Sequence, residues 1–249
     1  MAAGIAALTF TSCKKDDSVE NNPGNGNTTK LLKKITKTEN GETTVYNFTY
    51  DANKRLTSYK SNDNVEQVVF TYDGAGNIIR VEETEEGFKN IYAYTYNNGV
   101  PVSATFKSWE RTAGEPDDLI EDDILTYTVE NGVVSNIHLY MGIYDEETDF
   151  ELSYTNGNLT GVESTGTYPY SATFTYGNKK TAFPKLSNYV LDQAGFSLQF
   201  FAKNEVLSAT FDFPGTELDN TITTQYSYDA AGFPLSSNDG ETLLQFEYQ

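Results

Sequence analysis

Acid–base, nucleophilic and metal chemistry each need particular side chains within reach of one another, and this chain is poor in most of them. It carries one histidine, His138, and one cysteine, Cys13. A single histidine removes any two-histidine metal site. A single cysteine removes an intrachain disulfide framework and a Cys-based zinc site. His138 sits in Asn136-Ile137-His138-Leu139, on the strand face opposite Ile137 and Leu139. As a general base it would need a nucleophile and an orienting carboxylate at hydrogen-bond range. No Gly-x-Ser-x-Gly turn supplies that nucleophile, because Gly161-Val162-Glu163-Ser164-Thr165-Gly166 has the wrong spacing. His138 is therefore expected to face solvent or a lumen, and no catalytic residue is assigned.

Carboxylates are plentiful: 36 Asp and Glu against 17 Lys and Arg, a formal charge of −19. Phosphate binding needs clustered cations, so a nucleic-acid surface is excluded. A glycosidase pair needs two carboxylates at a set separation in a cleft, one with its pKa raised by desolvation. No pair in the sequence is marked out for that work. The densest acidic run, Asp117, Asp118, Glu121, Asp122 and Asp123, and the next, Asp145 to Asp149, lack the alternate acids and central glycine of an EF-hand loop. A solvated acidic loop is expected there, with weak Ca²⁺ binding as the sharper alternative and no cofactor implied. Trp109, the only tryptophan, opens the longest insertion, Lys107 to Ile124, where an exposed indole would stack on a sugar or anchor a protein, or else pack its own loop.

Residues 1–12 are uncharged and mostly apolar or small, too few to span a bilayer as a helix and suited to a signal-peptide core. No Lys or Arg precedes them, which suggests that this end is truncated. Thr11-Ser12-Cys13 resembles a bacterial lipobox, which implies acylation of Cys13 and partnership with outer-membrane lipid. Lys14-Lys15-Asp16-Asp17 resembles the surface-export signal of Bacteroidota lipoproteins, which implies the extracellular side. Residues 13–29 are nearly without aromatic or aliphatic side chains and read as a flexible tether. Their reach is about 20–25 Å.

From residue 30 to 249 one domain is expected, because the chain repeats. Aromatic-polar-aromatic triplets recur at Phe48-Thr49-Tyr50, Phe70-Thr71-Tyr72, Tyr94-Thr95-Tyr96, Tyr127-Thr128-Val129, Leu152-Ser153-Tyr154, Phe174-Thr175-Tyr176, Tyr226-Ser227-Tyr228 and Phe246-Glu247-Tyr248. Their intervals are 22, 24, 33, 25, 22, 52 and 20 residues, and the longest is expected to hide a degenerate strand near Leu198-Gln199-Phe200. A period of two followed by Asn, Asp and Gly clusters is the signature of hairpins. Nine such units predict an all-β antiparallel meander of roughly 16–18 strands of seven or eight residues, soluble and curled into a flattened or porin-like barrel.

Tyr72-Asp73-Gly74-Ala75-Gly76-Asn77-Ile78 resembles the core of YD (RHS-type) repeats, and Tyr50–Leu56 and Tyr228–Phe233 match it in part. With the lipobox, the chain is similar to uncharacterised Bacteroidota lipoproteins with a porin-like β-fold. That resemblance implies architecture and surface location, with no activity or catalytic residues to carry over. The expected role is a non-catalytic binding module for glycan or protein. The alternatives are a carboxylate-based carbohydrate hydrolase and an outer-membrane pore component.

Overall fold

The computed structural model describes residues 30–166, 169–192 and 196–249. Alternating side chains, aromatic inward and hydroxyl outward, build seventeen strands among these residues. The first ten are β1 (Leu32–Glu39), β2 (Glu42–Tyr50), β3 (Leu56–Ser61), β4 (Gln67–Tyr72), β5 (Ile78–Glu85), β6 (Phe88–Asn97), β7 (Val100–Glu110), β8 (Asp118–Glu130), β9 (Val133–Met141) and β10 (Glu146–Thr155). After β11 (Asn158–Gly166) and β12 (Ser171–Lys180) comes a short helix, α1 (Phe196–Phe201). Then follow β13 (Asn204–Asp212), β14 (Asn220–Thr223), β15 (Gln225–Tyr228), β16 (Pro234–Asn238) and β17 (Thr242–Tyr248).

Neighbours in sequence pair antiparallel, and β17 returns onto β1, with Ile35 opposite Phe246 and Glu39 opposite Thr242. The nearly closed barrel passes its seam through β14 and β15, two halves of one strand bent at Thr224. The first half pairs with β13 and the second with β16, while the Thr224 N–H donates to the Leu207 carbonyl at 2.8 Å. At the far end, the β1–β2 turn has Asn40 and Gly41 both at positive φ. That is the two-residue geometry matched to strand twist. The near end holds residue 30 and the C-terminus, since Leu31 and Gln249 exchange two backbone hydrogen bonds.

The repeated tyrosines have a structural task at the near end. Tyr50 donates to the carbonyl of Leu32, Tyr72 to Leu56, Tyr154 to Val134, Tyr176 to Leu159, Tyr226 to Val206 and Tyr248 to Pro234. In each case the acceptor lies at or near the start of a preceding strand. The bond stitches two hairpins together at the end where no turn joins them. A register shift falls just before Tyr50, Tyr72, Tyr154 and Tyr176, between the outward hydroxyl residue and the inward tyrosine. Such bulges bend the strand and re-aim the side chain.

The lumen is filled by the connection between β12 and β13. Ala182, Leu186, Val190, Leu191, Phe200 and Phe201 are buried in the same core as the inward strand residues. Phe200 packs on Tyr59 and Phe70 with ring centres 6.2 and 6.0 Å away, and Phe183 reaches both Phe200 and Phe246. The plug is tied to the wall where Tyr127 donates to the Leu191 carbonyl at 2.8 Å and where Asn158 Oδ1 accepts the Lys203 N–H at 2.8 Å.

Three expectations are corrected. Leu198-Gln199-Phe200 is not a strand but part of α1, because its apolar side chains fill the lumen instead of extending the wall. The insertion from Lys107 to Ile124 is mostly β7 and β8, leaving a loop of residues 111–117. Strands reach 10, 11 and 13 residues in β6, β7 and β8, longer than expected.

Removing the plug's central ring should therefore damage the whole barrel. Phe200→Ala is expected to cost about 3–5 kcal/mol in urea denaturation followed by circular dichroism. Tyr154→Phe, which removes one stitch, should cost about 1 kcal/mol in the same assay.

Candidate functional site

Strand alternation separates the residues that sequence proximity groups together. In β8, Glu121 and Asp123 stand opposite Ser108 and Phe106 and turn inward, whereas Asp122 turns outward and bonds Lys107 at 2.9 Å. Asp118 is exposed opposite Glu110, and Asp117 lies 3.5 Å from Arg111. Among the described residues no group of three or more His, Cys, Asp or Glu is arranged to hold a metal ion. Trp109 lies on the outward face of β7, half-buried, with Lys89 and Leu119 opposite it. His138 also faces outward, its Nδ1 3.2 Å from Asp149 Oδ1. Cys13, Lys14, Lys15, Asp16 and Asp17 lie outside the described residues.

Inward acids gather toward the far end. Burial pushes Glu83 and Glu121 up to about 7 and Asp123 up to about 6, with help from neighbouring carboxylates in each case. Buried Asp192 on the plug adds its charge to Glu83 and to Tyr92, Tyr94 and Tyr127. Glu66 and Glu83 border one cavity with Phe48, Tyr59 and Phe200, and Tyr46 donates to Glu66 at 2.6 Å. That cavity holds only about 40 Å³.

The near end has the larger opening, about 340 Å³, between three hairpin turns and plug residues 184–189. This falls within the usual range of small-molecule sites, about 300–1,000 Å³. Two of those turns are the YD-like segments. Asp51 Oδ1 accepts the backbone N–H groups of Asn53 and Arg55, and Asp73 Oδ1 accepts those of Ala75 and Asn77. Both carboxyls are held below the usual carboxylate range, Asp51 chiefly by the Arg55 backbone N–H and Asp73 by the Asn77 side-chain amide. The acids are consumed by their own turns, and the residues that follow them project to the rim. Gly76, at φ +91°, lets the second turn close.

Arg55 is fixed by Asp51 at 2.7 Å and lies over the Tyr72 ring, 4.7 Å from its centre. Lys54 and Lys185 complete the positive lining, with Tyr96, Tyr189, Asn77 and Asn188 between them. Tyr96 lies one residue before the end of β6, in the place that Tyr72 takes in β4, yet its hydroxyl has no hydrogen-bond partner among the described residues. The stitch to β5 is missing where the cavity opens, and Ile78, the first residue of β5, is part of the cavity wall. Motif reading located these turns but not the cavity, since Lys54, Arg55 and Lys185 meet only once the plug has folded inward.

The fold defines a plugged antiparallel barrel of the porin-like kind. It is similar to the crystal structure of a porin-like protein from Bacteroides vulgatus ATCC 8482, with a TM-score of 0.57 and 12% identity over 89% of this chain and 99% of that one. At that identity the likeness is one of fold. No protein-family model and no curated protein matches the chain.

The raised inward acids make stability pH-dependent in a defined sense. Glu83, Glu121 and Asp123 hold protons more tightly folded than unfolded, so the fold loses stability as pH rises from about 4 through about 7. Asp51 and Asp73 act oppositely, their contribution disappearing only as pH falls below about 4. The melting temperature is expected to be higher at pH 5 than at pH 8. Glu83→Gln should raise it at pH 8 and change it little at pH 5, as read by differential scanning calorimetry.

Proposed function

We propose that the protein is a surface-anchored bacterial lipoprotein that acts as a non-catalytic binding module for glycan or protein. The observation that carries this reading is a lumen filled by the chain's own plug beside an open cavity of ligand size at one end. The outer wall supports it. Outward positions carry Thr38, Thr175, Thr210 and Ser227, bonded across strands to Thr43, Ser208, Thr221 and Ser236. Charged residues such as Lys107, Asp122 and Asp149 share that wall. A lipid-facing barrel needs an apolar outward band, and charges at its midplane cost about 2–4 kcal/mol each. Among the described residues no helix is long and apolar enough to cross a membrane.

A porin-like neighbour favours the pore reading, but a conducting state would require the packed Phe183, Phe200 and Phe201 to leave the lumen. Against the hydrolase reading, Glu83, whose pKa burial raises, borders with Glu66 a space nearer in size to a water molecule than to a sugar ring. Attachment through acylated Cys13, with Lys14–Asp17 directing the domain to the extracellular face of the outer membrane, completes the proposal. One acyl chain holds a protein only marginally, whereas two or more hold it firmly.

Cys13→Ser is expected to abolish acyl labelling and to release the domain from the membrane fraction, and unchanged retention would count against the anchor. Externally added proteinase should degrade the wild-type domain on intact cells. In planar bilayers the purified protein should give no stepwise conductance, and reproducible channels would overturn the binding-module reading in favour of the pore.

A further inference from the structure

We propose that the near-end cavity binds an anionic saccharide, a sugar ring carrying a carboxylate, sulfate or phosphate. This deepens the binding-module reading and rests on it for a biological role, though the site itself is argued from its walls. The chain has more than twice as many acidic as basic residues, yet the cavity lining contains Lys54, Arg55 and Lys185 and no carboxylate. The nearest acids, Asp51 and Asp73, point into their own turns and are occupied by backbone N–H groups, and Asp51 also pairs with the Arg55 guanidinium. Neither Lys54 nor Lys185 has a carboxylate partner among the described residues, and the Lys185 ammonium rests 5.4 Å from the centre of the Phe201 ring. Two ammonium groups without carboxylate partners, beside an immobilised guanidinium, are suited to one anionic substituent.

The remaining lining suits the ring that bears it. Asn77 and Asn188 offer amides, and the hydroxyl of Tyr96 is free. Burial raises the pKa of that hydroxyl, which keeps it a donor at neutral pH. Tyr96 and Tyr189 contribute the flat, amphipathic surfaces on which sugar rings pack. A purely apolar ligand would leave these polar groups unpaired, and a bare inorganic anion would leave most of about 340 Å³ unfilled. The cavity opens at the end where residue 30 lies, so a short tether keeps it within reach of the membrane surface. The saccharide therefore comes either from a free glycan or from a glycolipid headgroup, with the same chemistry recognised in both.

The test is calorimetric titration of the full chain with a glucuronic-acid disaccharide, a sulfated disaccharide and glucose 6-phosphate, each against its uncharged counterpart. At least one charged sugar should bind about tenfold more tightly than its neutral twin, and affinity should fall with added salt. The double variant Lys54→Gln/Lys185→Gln should lose about tenfold or more. Tyr96→Phe should lose roughly three- to tenfold with an unchanged melting temperature, because no structural hydrogen bond is removed. Lys60→Gln/Lys89→Gln, at the opposite end, should bind like wild type. Phosphatidylcholine vesicles doped with a phosphorylated glycolipid separate the two sources. Retention on them that free sugar competes away identifies a headgroup, and free-sugar binding without retention identifies a soluble glycan. Equal affinity for charged and neutral sugars, wild-type affinity in the Lys54/Lys185 variant, or no binding of any charged sugar at millimolar concentration would overturn the site. Neutral-glycan binding that these variants leave untouched would sink this inference while leaving the broader binding-module reading standing.

Discussion

The structure depends on covering the aromatic face of a ring too wide to cover it alone. Small barrels fill their interiors with inward side chains, but a ring of this many strands encloses more space than those side chains occupy. An unfilled lumen lined by Phe and Tyr would forfeit dispersion contacts on every inward ring. The chain resolves this by turning one connection inward. Phe183, Phe200 and Phe201 meet rings from β3, β4, β10 and β17, strands distributed around the wall. The same packing makes the core continuous from the wall into the lumen.

The second constraint acts at the rim. A meander joins adjacent strands by turns at alternate ends, so half of the neighbouring pairs at either end have no covalent link. At the near end tyrosine hydroxyls take over that role, each bonding a backbone carbonyl near the start of a neighbouring strand. This explains why the repeat preserves an aromatic at the triplet's last position more faithfully than the acid that follows it. Tyr154 and Tyr176 precede Thr155 and Gly177 and still make their bonds. The acid serves only where the turn is longer and needs its N–H groups capped, as at Asp51, Asp73 and Asp229.

Much of the architecture was legible because period-two alternation is a local signal. Spacing alone puts Tyr92 and Tyr94 on one strand face, which the structure turns inward, and the strand number follows from the repeat count. The plug was not legible, since Phe196-Ser197-Leu198-Gln199-Phe200 alternates apolar and polar residues as a strand does, and only the filled lumen overrides that local pattern. Trp109 misled for the opposite reason. Acidic composition around it imitates a loop, but cross-strand pairing with Lys89 and Lys107 opposite Asp122 keep that stretch extended. The cavity lay beyond local inference altogether, because Lys54 and Lys185 are far apart in sequence and meet only through tertiary packing.

Why a cavity opens at this place follows from the two constraints together. Six stitches draw the near rim inward, and the plug enters from that same end, so the rim cannot close everywhere. The stitch is absent between β5 and β6, where the Tyr96 hydroxyl is unpaired, and between β7 and β8, where Val129 takes the tyrosine's place. Plug residues 184–189 lie across the first gap without filling it. The YD-like turns on either side bind their own acids through backbone N–H groups, Asp51 also through the Arg55 guanidinium, and leave Lys54 without a carboxylate partner at the edge. Acidic residues at the far end, among them Glu86, Asp118, Glu147 and Glu217, carry much of the molecule's negative charge away from this opening. A strongly acidic protein thus presents a positive, tyrosine-lined recess because its acids at this rim are spent on folding. The recess is a consequence of how the barrel is closed, and its chemistry is set by the residues that closure leaves unused.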